Sequence, residues 1–160
     1  MNWFQFILDL IQALAAPQFG PDQAAAKLGP PVQKQPYCWK LHPTSPALVG
    51  TQLELEDLDA GKGLLTTVLL SLKTPWRTSL PDLQRQFGAQ FNWMPTPDRG
   101  HPRVLQFSWK VEQTSGVLIF DVEQQSPEAP EAECIILSAT LRRFFPAKPQ
   151  PPKQPKKSGP

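Results

Sequence analysis

Residues 103–123, RVLQFSWKVEQTSGVLIFDVE, alternate in polarity along two runs broken by a short turn. In RVLQFSWKV (103–111), Leu105, Phe107, Trp109 and Val111 point one way while Gln106, Ser108 and Lys110 point the other. A side-chain period of two is that of a β-strand. SGVLIFDVE (115–123) repeats the pattern with Leu118, Phe120 and Val122 on one face, so the pair reads as a hairpin with its register fixed by one apolar side. ECIILSATLRRF (133–144) reads as a further strand, with Ile135, Leu137, Ala139 and Leu141 on one face and Ser138, Thr140 and Arg142 on the other. One face of this sheet is thereby left to water or a partner.

Working upstream, TQLELEDL (51–58) and LLTTVLLSLK (64–73) flank the glycine-bearing turn DAGKG (59–63), which predicts a second hairpin. Period two places Leu64, Val68, Leu70 and Leu72 together, with Leu65, Leu69 and Lys73 opposite. Between the hairpins lies SLPDLQRQFG (79–88), a short helix capped by Ser79 and Asp82 and ended by Gly88, with Leu80, Leu83 and Phe87 on one side. Further short strands fit at 37–41 and 90–94. The fold class expected is α+β: a single domain over residues 37–146, of antiparallel strands in ββ-α-βββ order with one helix packed on the sheet.

The ends differ from this domain. Residues 3–15, WFQFILDLIQALA, contain no Gly or Pro and are closed by Pro17. On a helix, Gln5, Asp9 and Gln12 form one narrow polar strip, and apolar side chains cover an arc far wider than that of a surface helix. Such a helix wants burial on most sides. Residues 1–16 therefore read as a separate apolar docking helix, engaging a groove on this domain, a second copy or a protein partner through Trp3, Phe4, Phe6, Ile7, Leu10, Ile11 and Leu14. Residues 17–36, with prolines at 17, 21, 30, 31 and 36, read as a semi-stiff linker in which only DQAAAKL can form a turn or two of helix. The apolar run is shorter than the ~20 residues of a membrane span. No basic residue precedes Lys27, which argues against a secretory signal, and Asp9 as the only charge argues against a lipid anchor. A cytoplasmic location follows as the expectation, with export or peripheral attachment to a membrane surface as alternatives.

Residues 147–160 read as a basic, proline-rich disordered tail carrying Lys148, Lys153, Lys156 and Lys157 and no acid. Polyproline geometry with isolated lysines suits a docking peptide for an aromatic groove or an acidic surface, and equally a solubilising end. These lysines account for the formal net charge of +2, so the rest of the chain has no basic face, and nucleic acid is not an expected partner.

No motif carries chemistry. DAGKG lacks the spacing of a phosphate loop and precedes a strand. Asp98, Arg99 and His101 in PTPDRGH could serve acid/base work only if they lined a cleft. With Trp76 and Trp93, Asp98 and His101 define a candidate ligand face at the mouth of a concave sheet. Cys38, His42, His101 and Cys134 lack the paired close spacings of a zinc site, so neither a metal nor a cofactor is expected. A Cys38–Cys134 disulfide requires export and neighbouring first and last strands.

The stretch from Ser79 to Phe144, a capped helix ending in FG followed by three alternating strands, resembles in outline the helix-plus-meander modules of small bacterial envelope scaffold proteins. That resemblance implies an envelope-associated scaffold. The residues themselves point first to a non-catalytic interaction or accessory module that docks on a partner or second copy through its N-terminal helix. The alternative is a small enzyme or ligand-binding domain using the concave sheet face.

Overall fold

A computed structural model of the chain describes residues 1–59, 62–94, 103–123 and 133–145. Among the described residues, eight strands form one antiparallel sheet: β1 (Pro31–Lys34), β2 (Cys38–Leu41), β3 (Leu48–Asp59), β4 (Lys62–Ser79), β5 (Phe91–Met94), β6 (Arg103–Val111), β7 (Thr114–Val122) and β8 (Glu133–Phe144). Their spatial order is β1-β2-β3-β4-β8-β7-β6-β5. The chain meanders inward from one edge to β4, then crosses through helix α3 (Leu80–Phe87) to the far edge. From there it meanders back until β8 pairs with β4. The α+β class and the helix between two sets of strands are as the alternation predicts, and the short strands at 37–41 and 90–94 are β2 and β5.

Strand register explains where the core lies. One row across the sheet runs Leu41, Thr51, Leu70, Ala139, Phe120, Leu105, Trp93. The next runs Trp39, Leu53, Val68, Leu141, Leu118, Phe107, Phe91. All three helices lie on this face: α1 (Trp3–Ala15) against β6 and β8, α2 (Pro21–Leu28) against β2 to β4, and α3 against β4 and β6.

Two bulges correct the period-two grouping. Glu54 and Leu55 face Thr67 and Leu65, so Thr66 is an extra residue in β4. Its hydroxyl donates to the Glu54 carbonyl at 3.3 Å. The extra residue switches parity, and Leu65 shares the core with Val68 and Leu70 instead of facing away from them. Likewise Asp121 and Val122 face Ser138 and Ile136, which makes Leu137 the extra residue in β8. The core cluster therefore takes Cys134, Ile136, Ala139 and Leu141 from β8, with Arg143 buried beyond them, while Ile135 is buried outside that cluster and Leu137 is only partly buried.

Helix α1 is not set apart from the domain. Ile7, Leu10, Ile11 and Leu14 are buried in the same core as the sheet residues. At roughly 1.5–3 kcal/mol per fully buried aliphatic side chain, these four add on the order of 6–12 kcal/mol of gross apolar burial. Gln5, Asp9 and Gln12 form the exposed strip the periodicity predicts. The segment read as a linker is also structured: it supplies α2, with Ala24 and Leu28 buried, and the edge strand β1. Cys38 on β2 and Cys134 on β8 have β3 and β4 between them, about 14 Å of sheet at the usual strand spacing. A disulfide between them is outside bonding reach.

Candidate functional site

At the β1 end of the sheet, Gln35, Pro36 and Tyr37 turn the chain from β1 into β2. Proline presets φ for the turn, and the Gln35 amide donates to the Cys38 carbonyl at 2.9 Å. The Leu55 amide donates to the Tyr37 carbonyl at 2.9 Å, which ties the turn to β3. The result is an open groove of about 280 Å3 lined by Pro21, Pro36, Tyr37, Trp39, Leu55 and Gly63. Tyr37 is 64% exposed, a large aromatic held out of the core. Gly63 keeps the floor open, since a Cβ there would stand 3.3 Å from the Leu55 side chain and 3.7 Å from the Pro36 carbonyl oxygen.

Asp22, beside Pro21, is exposed, and the Lys34 ammonium lies 4.5 Å from the centre of the Trp39 ring, so one charge of each sign stands near the groove. Glu54 and Glu56 alternate with Leu55 along β3 and so point to the opposite face of the sheet. Proline and aromatic walls suit an extended proline-rich segment.

A second cleft of about 240 Å3 opens between α1, α3 and β6, walled by Leu8, Ile11, Phe87, Phe107, Trp109 and Leu118. The indole N–H groups of Trp93 and Trp109 are buried without an acceptor among the described residues.

Trp76 and Trp93, assigned to a ligand face, both lie on the helix-covered side of the sheet. They sit at the two ends of an aromatic chain through Phe120, Phe107 and Phe91, with successive ring centroids 5.9, 6.2, 6.1 and 6.4 Å apart. Trp76 also meets Trp3 and Phe4 of α1, at 6.2 and 4.9 Å. Asp98, His101 and the tail residues Lys148, Lys153, Lys156 and Lys157 lie outside the described residues. Of the docking set, Trp3, Phe4 and Phe6 are half-buried against the core that holds Ile7, Leu10, Ile11 and Leu14.

Sequence reading missed Arg143. Its side chain is 2% exposed, and its guanidinium donates to four main-chain carbonyls: Leu65, Leu14, Ala16 and Phe19. Two of these acceptors belong to the last turn and C-cap of α1, where the helix dipole favours a cation. The Thr114 hydroxyl donates to the intervening Ala15 carbonyl at 2.8 Å. Burial pulls the guanidinium down from its ordinary value to about 10. The signal was present in the parity of the strand, because Arg143 stands two residues from Leu141 and so falls on the apolar face.

Among the described residues no group of His, Cys, Asp and Glu is placed to hold a metal ion, and no helix is long and apolar enough to cross a membrane. Comparison with protein-family models, curated proteins and solved structures finds no match to the chain.

Proposed function

We propose that the chain is a non-catalytic interaction module that binds an extended, proline-rich segment of a protein partner in the Tyr37–Trp39 groove. The observation that carries this reading is Tyr37 itself. It is a large aromatic, 64% exposed and held by a proline turn at the mouth of an open groove. Aromatic grooves of this kind take polyproline segments because the ligand is already extended and loses little entropy on docking.

Docking through the apolar arc of α1 is the rival within the same class. It would require Arg143 and Thr114 to release the helix C-terminus and four aliphatic side chains to leave the core. Binding at the turn disturbs none of these contacts.

The test is a titration of the chain with proline-rich peptides of basic, neutral and acidic composition, read by the fluorescence of Trp39 and by amide shifts of residues 35–39. The peptides should bind saturably whatever their charge, and Tyr37→Ala should weaken them by about tenfold, ~1.4 kcal/mol. Equal, non-saturating responses to all three compositions, or shifts confined to α1, would overturn the reading.

A further inference from the structure

We propose that the outer edge of β6 at Ser108–Val111 binds an extended segment of a protein partner as an added strand. One large apolar side chain of that segment fills the cleft between α1 and α3, and an acidic one stands opposite Lys110. The site is separate from the Tyr37–Trp39 groove and does not rest on it. β5 pairs with β6 only from Val104 to Phe107, whereas β7 follows β6 on its other side as far as Val111. Val111 and Thr114 close a two-residue hairpin, so Val111, Trp109 and Phe107 turn their main-chain groups to β7. By the same alternation Ser108 and Lys110 turn theirs outward, where no described main-chain group pairs with them.

Ser108 and Lys110 alternate with core-facing Phe107 and Trp109, and both side chains are exposed on the open face of the sheet. They border the cleft of about 240 Å3 all the same, so it is their main chain that lies along it. Gly88, Ala89 and Gln90, which lead into β5, do not line it. A strand added antiparallel to β6 exchanges hydrogen bonds with Ser108 and Lys110, and its residue opposite Trp109 enters the cleft among Leu8, Ile11 and Phe87. The far edge of the sheet is blunted against such pairing, since β1 opens with Pro31 and carries a bulge before Gln33. Ser108–Val111 has neither device, and Lys110 is its one charged residue. Lys110 makes no ion pair with a described residue, so a carboxylate directly across from it gains a cross-strand partner. A second copy paired through Trp109 would instead set the two Lys110 side chains diagonally across from each other on one face, where like charges repel.

The experiment titrates the full-length chain with the end-capped peptide TVEFT, which in antiparallel register sets its Glu opposite Lys110 and its Phe opposite Trp109. The amide signals of Ser108 and Lys110 should shift saturably and gain protection from hydrogen exchange. Methylating the backbone nitrogen of the peptide's Glu removes the donor to the Lys110 carbonyl and should weaken binding by about tenfold. Changing that Glu to Lys should weaken binding several-fold, and Lys110→Glu, at an exposed position, should invert the preference. An affinity indifferent to the methylation, or no saturable shift at Ser108 and Lys110 at millimolar peptide, would overturn the added strand. Shifts confined to residues 35–39 would belong to the Tyr37 groove and would equally refute this site. Protection of the Lys110 amide that arises without peptide and grows with chain concentration would overturn the partner segment in favour of a second copy.

Discussion

The guanidinium of Arg143 donates to the carbonyl of Leu14 at 2.9 Å, across 129 residues of sequence. The same group reaches Ala16, Phe19 and Leu65, so one side chain from the last strand satisfies the end of the first helix, the turn after it and the carbonyl next to the Thr66 bulge. Arg143→Met would keep the apolar stem and leave these carbonyls buried without that donor. Removing a buried, charge-assisted set of hydrogen bonds costs about 3–5 kcal/mol. That is a large fraction of a domain's stability. Urea unfolding should show the midpoint falling accordingly, with Arg143→Lys recovering part of the loss. An unchanged midpoint for Arg143→Met would remove the latch from the account.

The pH dependence of the latch follows from the sign of the shift. Arg143 is a base whose folded value, about 10, lies below its unfolded one because burial disfavours the charged form. Below pH 9 both states are protonated, so the stability difference between the native chain and Arg143→Met should be constant from pH 5 to 9. Between about 10 and the ordinary guanidinium value the unfolded chain binds more protons. Native stability then rises relative to the variant. Paired urea titrations across that range check it, and a gap that varies between pH 5 and 9 would refute it.

Two glycines separate steric cost from backbone cost. A Cβ on Gly116 would stand 2.1 Å from the Arg142 carbonyl oxygen and 2.3 Å from the Trp109 ring, so the strand has no room for it. Gly88, the C-cap of α3, has φ of +124° with nothing within 4 Å of the same atom. Gly116→Ala should cost about 3 kcal/mol and shift Trp109 fluorescence, as overpacking does. Gly88→Ala should cost about 1–2 kcal/mol through φ alone, with the fluorescence unchanged.

Much of this fold was legible because period two is written plainly in residues 103–123 and the helix from Leu80 is capped by Ser79, whose hydroxyl accepts from the Asp82 amide. The misplaced residues share one cause. A bulge at Thr66 or Leu137 has no composition signal, yet each inverts the parity of everything beyond it, which sent Leu65 to the wrong face and left Ile136 out of the expected apolar set, whereas Arg143 was legible two residues from Leu141. The helix expected from DQAAAKL in 17–36 is present as α2, but the packing of this segment on the sheet was not legible. Pro21 begins a helix at a position where no amide donor is needed, and Pro31 begins an edge strand, so these prolines punctuate structure there instead of preventing it. The groove was half legible: the aromatic and proline residues are in the sequence, but their convergence needs the Leu55–Tyr37 hydrogen bond.

The cysteines should behave differently under alkylation. Cys38 on β2 is partly exposed, whereas Cys134 is 1% exposed under the helix-covered face. Iodoacetamide on the native chain should modify Cys38 first and Cys134 only at the rate of opening. Peptide mapping without reductant should find no Cys38–Cys134 link, since three strand spacings separate them. Recovery of that linked peptide from native protein would contradict the strand order.

Helix α1 belongs to the core, and its removal should be felt as unfolding. Leu10 is 0% exposed, and Leu10→Ala should cost about 2–5 kcal/mol through the cavity it leaves. Substitutions on the polar strip are a built-in control. Gln5, Asp9 and Gln12 are exposed, the Gln5 side-chain amide donating to Asp9 at 2.8 Å, and changing each to Ala should stay within about 0.5 kcal/mol. Deleting residues 1–16 should do more than either. It bares the aromatic chain around Trp76 and Phe120, strands Arg143 without the Leu14 and Ala16 carbonyls, and should yield an aggregating chain without cooperative unfolding. Thermal unfolding with light scattering distinguishes the cases. A truncated chain that stays monodisperse and unfolds at the native midpoint would make α1 a separable docking element after all, and would return the apolar arc from Trp3 to Leu14 to the list of partner surfaces.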